Sequence, residues 1–389
     1  MADLEVLEPL NLPDWLNNTV LAEDAVENYQ RALAGPARRE LWKYTPARKI
    51  IELRQLPATQ PVLSGHEQTG VTVTENPSRL DLADLVNIQR APEAFAQLCK
   101  QPLLHIAVTA DLAQPLNLHY QGNSWPVIID VAPDVSMTLT EECEQDHDQQ
   151  QTLWLRLGAN SAVTHARNSF GATALHWQFV SVQVHANGHY RLHNHALAST
   201  LRRQDTQIQL VGSGAHAELT SAVMVAERLN LDQQITIEHI NPHTTSRQRV
   251  HNIVADRGKS TFNGRIHIHE GAKNSDAQLS NKNLGLGANA TINTKPELEI
   301  YNDDVSCAHG ATIGQLDDNQ VPRNIRSASK DAVEKWLLNA SKDMDVRLGM
   351  TASILDEIFN DPNLPGHYGP LCLQLQTALE EMLNEVTRS

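Results

Sequence analysis

Between about residues 100 and 315 the chain never sustains a 3.6-residue period, and this limits its folds more than any other feature. Short alternating runs take its place. Leu175, Trp177 and Phe179 alternate with His176 and Gln178, and Ile208 and Leu210 with Gln207 and Gln209. Ile235 and Ile237 alternate with Thr236 and Glu238, and Phe262, Gly264, Ile266 and Ile268 with Asn263, Arg265 and His267. Leu298 and Ile300 flank Glu299 in the same way. A period of two places apolar groups on one face of a strand and polar groups on the other. Turn residues separate the runs: Asn187-Gly188, Gly212-Ser213-Gly214, Asp256-Arg257-Gly258, Gly271 and Gly287. Many short strands with frequent turns predict a sandwich, a barrel or a β-helix. Aromatic residues make up only 4% of 389 residues, which favours a β-helix with a narrow interior of Ile, Leu, Val and Ala. The repeat is not crisp, so pattern alone leaves the three architectures open.

The flanks differ in texture. Val20–Leu33 is rich in helix formers, with Leu21, Ala25, Ala32 and Leu33 near helical spacing, and Gly35-Pro36 ends it. Ile50–Leu56 reads as a short strand. Ser78–Leu103 reads as a second helical stretch, broken at Pro92 and ended by Pro102. Beyond 318 the chain reads as helical. Ser327–Ser329 are placed to cap Lys330–Ala340, and Leu348–Phe359 and Pro370–Val386 follow, separated by an Asn360–Tyr368 loop. Leu371, Leu375, Ala378, Leu379, Met382 and Leu383 form an apolar stripe that packs either among these helices or on a partner. The expected organisation is a mixed, largely helical segment over 1–100, a β core over 101–318 and a helical segment over 319–389.

Charge and cysteine usage exclude several functions. Lys+Arg total 31 against 46 Asp+Glu, a net charge of −15. A nucleic-acid surface needs a basic face to displace counterions, and an anionic membrane needs one too, so neither is an expected partner. Four cysteines, at 99, 143, 307 and 372, cannot make a disulfide scaffold, and no C-x-x-C pair offers a zinc ribbon or a thioredoxin motif. Met1–Trp15 has no basic n-region and no apolar h-region, so no signal peptide is expected. No stretch approaches the roughly 18 apolar residues of a membrane span. A soluble protein of a reducing compartment, the cytoplasm, is the expectation. Nucleotide and hydrolase motifs are also missing. Gly258-Lys259-Ser260 resembles the end of a P-loop, but Ile253 stands where that motif needs glycine. Gly285-x-Gly287 lacks its third glycine, and no G-x-S-x-G or H-E-x-x-H occurs.

Four groups of residues carry candidate chemistry. His193/His195 and His267/His269 are spaced i, i+2, so each pair shares one strand face and can offer two imidazoles to a metal. A plain polar outer face, where His replaces Thr or Gln, is the favoured reading, since neither pair has a nearby cysteine or carboxylate of matching parity. Glu141-Glu142-Cys143-Glu144, with Asp146, His147 and Asp148, reads as a solvated acidic loop or outer face. Cys99 and Cys372 lie in helical contexts and read as core. Cys307-Ala308-His309 is the most pointed. On a strand the two side chains share a face about 7 Å apart. A thiol beside an imidazole suits soft-metal or sulfur chemistry. Two ligands do not complete a site, so the rest would come from elsewhere, including another chain. A small buried cysteine beside a satisfied histidine is the alternative.

Several blocks together resemble the SufB/SufD family of iron–sulfur cluster assembly proteins. They are Asn241–Gln248 (NPHTTSRQ), Phe262–Ile266 (FNGRI), Gly271-Ala272, Asp276-Ala277, Asn281–Leu284 (NKNL), Thr294–Gly314 (TKPELEIYNDDVSCAHGATIG) and Leu316-Asp317-Asp318. Trp42–Pro46 (WKYTP) is similar to the N-terminal block of the family's SufD branch rather than of SufB. The resemblance implies a mainly β protein, a right-handed parallel β-helix core flanked by N-terminal and C-terminal helical domains. It implies a non-catalytic scaffold that pairs with a SufB-like subunit through the β-helix and docks a SufC-like ATPase through the C-terminal helices. ATP then sits on SufC only, which accounts for the missing P-loop. Sulfur would arrive indirectly from a SufS–SufE system. The cargo would be a transient iron–sulfur cluster, or iron, at the SufB interface, and a reduced flavin on the complex stays open. Cys307 and His309 match the family's interface pair. His309 is implied as the ligand, and Cys307 as its less certain neighbour. Val321–Ser329 departs from the family by lacking its aromatics and glycine, and Lys342–Tyr368 runs longer than usual. Both departures bear on the docking of the ATPase.

Two other functions compete. A β-helix carbohydrate lyase or hydrolase needs clustered carboxylates on one face. Asp303-Asp304 and Asp317-Asp318 are the pairs near the C-x-H block, and strand neighbours point to opposite faces. A His-rich metal-binding protein, suggested by 18 histidines, would bind metal stoichiometrically without a partner.

Overall fold

The computed structural model describes residues 42–46 and 56–77, isolated positions at Tyr29, Lys49, Glu52 and Leu53, and most of 92–386. Within that last span it leaves out 144–146, 172–173, 288, 317–321, 338, 340, 365 and 367–368. The helix expected over Val20–Leu33 therefore lies outside the described residues, apart from Tyr29.

The alternating runs form strands that stack as a parallel solenoid with two sheets. The first sheet runs from Leu104–Val108 through Val127–Val131, Gln149–Leu157, Leu175–Val184, Leu201–Leu210, Asn230–His239 and Lys259–Ile268 to Thr291–Ile300. The second runs from Leu116–Tyr120 through Ser136–Cys143, Ala162–Ser169, His189–Leu197, His216–Val225, Thr245–Ala255 and Ser275–Leu286 to Val305–Leu316. Each strand pairs in parallel with the strand one coil away, so the chain alternates between sheets as it climbs. Val71–Glu75 and Val62–Ser64 add an antiparallel strand to the starting edge of each sheet. The choice between sandwich, barrel and β-helix thus falls to stacked coils.

One backbone position marks the repeat. Asp134, Asn160, Asn187, Gly214, His243 and Asn274 all have positive φ, between 53° and 72°, and recur once per coil. Asn, Asp and Gly tolerate this left-handed conformation, so the repeat is conformational and not one of residue identity. Asn187 Nδ2 donates to Asn160 Oδ1 at 3.2 Å, and Asn160 Nδ2 donates to Asp134 Oδ1 at 2.9 Å, tying three coils together. At Gly214 a Cβ would lie 2.4 Å from Asn187 Oδ1, so glycine is needed twice over there. Replacing Asn187 with alanine removes one rung and places a Cβ-bearing residue without a compensating side chain at φ 53°. A loss of about 1–2 kcal/mol is expected in urea unfolding. Unchanged stability would show the ladder to be decorative.

Between the sheets the core is apolar on one side, with Val182, Ile208, Ile237, Ile266 and Leu279 in one continuous cluster. The other side is a buried polar column. Gln151 and Gln178 donate to Cys143 Sγ at 2.8 and 2.9 Å, and Gln204 donates to Gln178 Oε1 at 2.7 Å. Gln233 donates to Gln204, Asn252 to Asn283, and Thr294 to Asn281. Bonds of this kind, many of them from one coil to the next, offset the cost of burying such a column. It corrects the reading of the acidic run as solvated at two positions: Glu141 and Cys143 are buried and point inward from Ser136–Cys143, while Glu142, His147 and Asp148 are exposed as expected. Glu144–Asp146 lie outside the described residues.

The parity of one run is also reversed. Val180, Val182 and Val184 face the core, while Trp177 and Phe179 face outward. They are nevertheless buried, because Trp42 covers that face. Its ring centroid lies 6.4 Å from that of Trp177, and the Arg203 guanidinium sits 3.9 Å from the Trp42 centroid. Arg203 bonds Asp205 and Asp232, and Thr45 donates to the same Asp232 carboxylate. The WKYTP block is therefore a latch on the first sheet. Within Ile50–Leu56, read from the sequence as a short strand, the described residues Glu52 and Leu53 are helical, as is Lys49 before them, and the rest of that run apart from Leu56 lies outside the described residues. The amide of Lys49 bonds the Pro46 carbonyl, and a Lys49–Glu52 ion pair at 3.1 Å supports the turn.

Helices follow the last coil. Arg323–Asp331 continues as a π-helical segment, Ala332–Leu337, then Met344–Phe359 and Gly369–Val386. The first begins at Pro322, whose fixed φ suits a helix start, so Ser327–Ser329 lie inside the helix and do not cap it. The described side chains of the apolar stripe are used at home: Leu375 and Leu379, with Leu383 partly buried beside them, join Leu348, Leu355 and Ile358 and pack on Met224, Ile253 and Leu284 of the coil. In the first flank, Pro92–Lys100 is the described part of the expected Ser78–Leu103 helix, and Cys99 is buried on it.

Candidate functional site: the last coil and its open edge

Cys307 and His309 lie on Val305–Leu316, the terminal strand of the second sheet. Cys307 is in register with Ala277 and His309 with Leu279, both core residues, so both point to the inner face of the last coil. No further coil covers that face among the described residues, which leaves Cys307 half-buried and His309 exposed. Cys307 packs partly against the core. Burial, and secondarily the Asp276 carboxylate, raise its thiol above the ordinary value, so it is protonated at neutral pH. A metal bound alongside would have to displace that proton. No third protein ligand closes on Cys307 and His309 among the described residues.

Thr291–Ile300 ends the first sheet in the same way, and neither terminal strand has a partner on its outer side among the described residues. Ile300 is 45% exposed, Tyr301 63% and Ile313 53%, the largest run of exposed apolar side chains in this part of the molecule. An uncovered strand edge beside exposed apolar groups is a template for another chain.

The other candidates separate. His193 and His195 share the outer face of His189–Leu197, where Thr220 and Asn168 bond their rings. His267 and His269 stack with centroids 3.9 Å apart on the outer face of Lys259–Ile268 and its following turn. The sequence hid their carboxylate. Glu238, in register with His267 but one coil earlier, completes a group of three. Asp303 and Asp304 are exposed in a turn, and Asp317 and Asp318 lie outside the described residues. Cys143 is enclosed, its thiol raised first by burial, and Cys372 is buried on the last helix. Lys259 and Ser260 open a strand after a tight turn at Gly258, so they are no phosphate loop.

Comparison with known proteins bears on the same region. A family described as "SUF system FeS cluster assembly, SufBD core domain" matches residues 119–321. The chain is 29% identical over 292 residues to the iron-sulfur cluster assembly protein SufD of Escherichia coli, covering 70% of this chain and 67% of that one. It is 33% identical over 183 residues to an iron-sulfur cluster assembly SufBD family protein of Synechocystis, covering 45% of this chain and 40% of that one. A second family, the uncharacterised UPF0147, matches residues 312–382. A UPF0147 protein of Methanothermobacter thermautotrophicus is 45% identical over 67 residues, covering 17% of this chain and 65% of that protein. The helices after the coil thus resemble a different family from the coil itself, which accounts for the departures in Val321–Ser329 and Lys342–Tyr368.

Proposed function

Because the chain belongs to the SufBD core family of SUF-system iron–sulfur cluster assembly proteins and is most like SufD, we propose that it is the SufD-like subunit of a SufB–SufC–SufD scaffold. The observation that carries this reading is the open last coil, where Cys307 and His309 sit beside two unpartnered strand edges. A SufB-like subunit pairs with these edges by strand addition, and its own side chains complete the ligand set around the nascent cluster. His309, exposed on the inner face of the last coil, makes the first contact with iron or cluster. Cys307 follows once metal displaces its proton. The chain performs no catalysis of its own. It positions two ligands on a rigid coil, and the cluster is cargo.

The finer features go with this reading. The coil is right-handed, the hand that parallel crossover connections almost always take. Segments 1–100 and 319–389 act as flanking, largely helical domains around a core at 101–318. The helices after the coil dock a SufC-like ATPase, which holds the ATP, on a surface whose UPF0147-like sequence differs from the family's usual one. Sulfur reaches the complex from a SufS–SufE-type donor. No described helix is long and apolar enough to cross a membrane, and the setting is cytoplasmic.

The test uses the full complex. His309→Ala is expected to lower anaerobic cluster formation at least tenfold while the three subunits still co-purify. Cys307→Ser is expected to give a smaller loss. Wild-type cluster yield from H309A would end the ligand role. Failure to co-purify with SufB- and SufC-like partners would end the scaffold reading.

A further inference from the structure

The outer face of the first sheet carries a ladder of polar residues, one per coil: Gln183, Gln209, Glu238, His267 and Glu299 share one register. Most rungs bond to a neighbour. Gln183 donates to Gln209, and Gln209 donates to Glu238 Oε2 at 3.3 Å. Glu299 is held by Arg265, whose guanidinium also approaches His267 Nδ1 at 3.5 Å. At one point the ladder widens. His269, two residues beyond His267, places Nε2 3.7 Å from Glu238 Oε2, outside hydrogen-bond range. That nitrogen is buried and has no hydrogen-bond partner. A ligand atom from each of Glu238, His267 and His269 lies within 4.8 Å of the other two, and no other such trio occurs among the described residues.

A buried imidazole nitrogen facing a buried carboxylate across 3.7 Å has lost water without gaining a bond. A divalent ion fits such a gap. Bonds of about 2.0–2.2 Å place ligand atoms roughly 3–4 Å apart, close to the separation seen. The donors are two nitrogens and one oxygen, a set that suits Zn2+ or Fe2+ and leaves coordination positions open. The Gln209 bond to Glu238 is the outer support that orients a ligating carboxylate. Positive charge at the site is already balanced, because Arg265 is committed to Glu299.

The geometry points to a divalent transition-metal site formed by Glu238, His267 and His269 on the outer face of the solenoid, separate from the Cys307–His309 edge. It is complete within one chain and requires no partner. It also does not depend on the scaffold reading, so either can fail alone.

The experiment uses the full, tag-free chain carrying Cys307→Ser and His309→Ala, which removes the edge ligands. Zn2+, and Fe2+ under anaerobic conditions, are titrated by calorimetry, and Co2+ is followed by its visible absorption. One equivalent is expected to bind. His269→Asn and Glu238→Gln should each weaken it at least tenfold, and the pair should abolish it. The melting temperature supplies a second readout: Zn2+ should raise it in the parent and not in His269→Asn, whose metal-free melting stays near that of the parent. Binding unaltered by these substitutions, or no stoichiometric metal in the parent, would overturn the assignment.

Discussion

Replacing Glu141 with alanine is expected to cost about 3–5 kcal/mol, among the largest effects of any single substitution here. Glu141 is buried inside the coil with Arg167 and His165, all essentially without exposure. Arg167 Nε donates to Glu141 Oε2 at 3.0 Å, and His165 Nε2 lies 2.7 Å from the same oxygen. Burial opposes ionisation of Glu141, but the Arg167 charge and the His165 contact outweigh it and hold the carboxyl at about 2. Burial keeps His165 below its ordinary value, and Tyr190 bonds its other nitrogen at 2.8 Å, which fits a neutral ring. Arg167 is then the counter-charge. Removing Glu141 leaves a buried guanidinium whose Nη1 already has no partner. The measurement is the shift of the urea midpoint, and the control is Glu141→Leu with Arg167→Met. A buried pair contributes little net stability although half of it is very costly, so the double variant should recover most of the loss. Equal losses in the single and double variants would refute the account.

That cluster also shows where sequence reading stops. Ile235/Ile237 and Phe262/Ile266/Ile268 have the parity and burial that alternation predicts. Trp177 and Phe179 break it, because their outward face is covered by Trp42, some 130 residues earlier in the chain. Only the resemblance drew attention to Trp42. Glu141 reads as solvated since its neutralising partner lies one coil on, 26 residues away. The coil repeat is invisible in composition because the recurring feature is a left-handed backbone, filled in turn by Asp, Asn, Gly and His. The same distance hid Glu238 from His267 and His269. Cys307 and His309 were legible as a pair from strand parity. Their place on an open edge was not, because an edge is defined by the strand that is missing.

Acid should destabilise this protein well before its carboxylates titrate. His176 has its pKa pushed down to about 2, first by burial and then by Arg202. Burial, and then His193, push His195 down to about 4. Burial does the same to His239, whose two ring nitrogens are engaged by Thr244 and Ser246 at 2.8 Å. His251 is pushed to about 4 by burial and then by Lys282 and Arg249. Each group binds a proton near its ordinary value of 6.5 when unfolded but resists it when folded. Their contribution is therefore complete above pH 6.5 and is lost as the pH falls toward 4. Each costs about 1.4 kcal/mol per pH unit in that window, so four together approach roughly 5 kcal/mol per unit. Two such units cost about 10 kcal/mol, most of the about 5–15 kcal/mol that an ordinary fold has in total. The loss should begin at the helices after the coil. His195 and His251 line the cleft beneath them, with Arg347, Leu348, Leu375 and Leu379 opposite. Charging two imidazoles there sets them against the Arg347 guanidinium, which is itself buried. The check is a urea-midpoint series from pH 7.5 to 5, with hydrogen exchange read separately over 344–386 and 175–268. A midpoint that falls steeply below pH 6.5, with the helices exchanging first, is the expected result. Replacing His195 and His251 with glutamine should flatten the slope by about half. A profile level from pH 7 to 5 would show that these rings take up their protons in the folded chain without penalty.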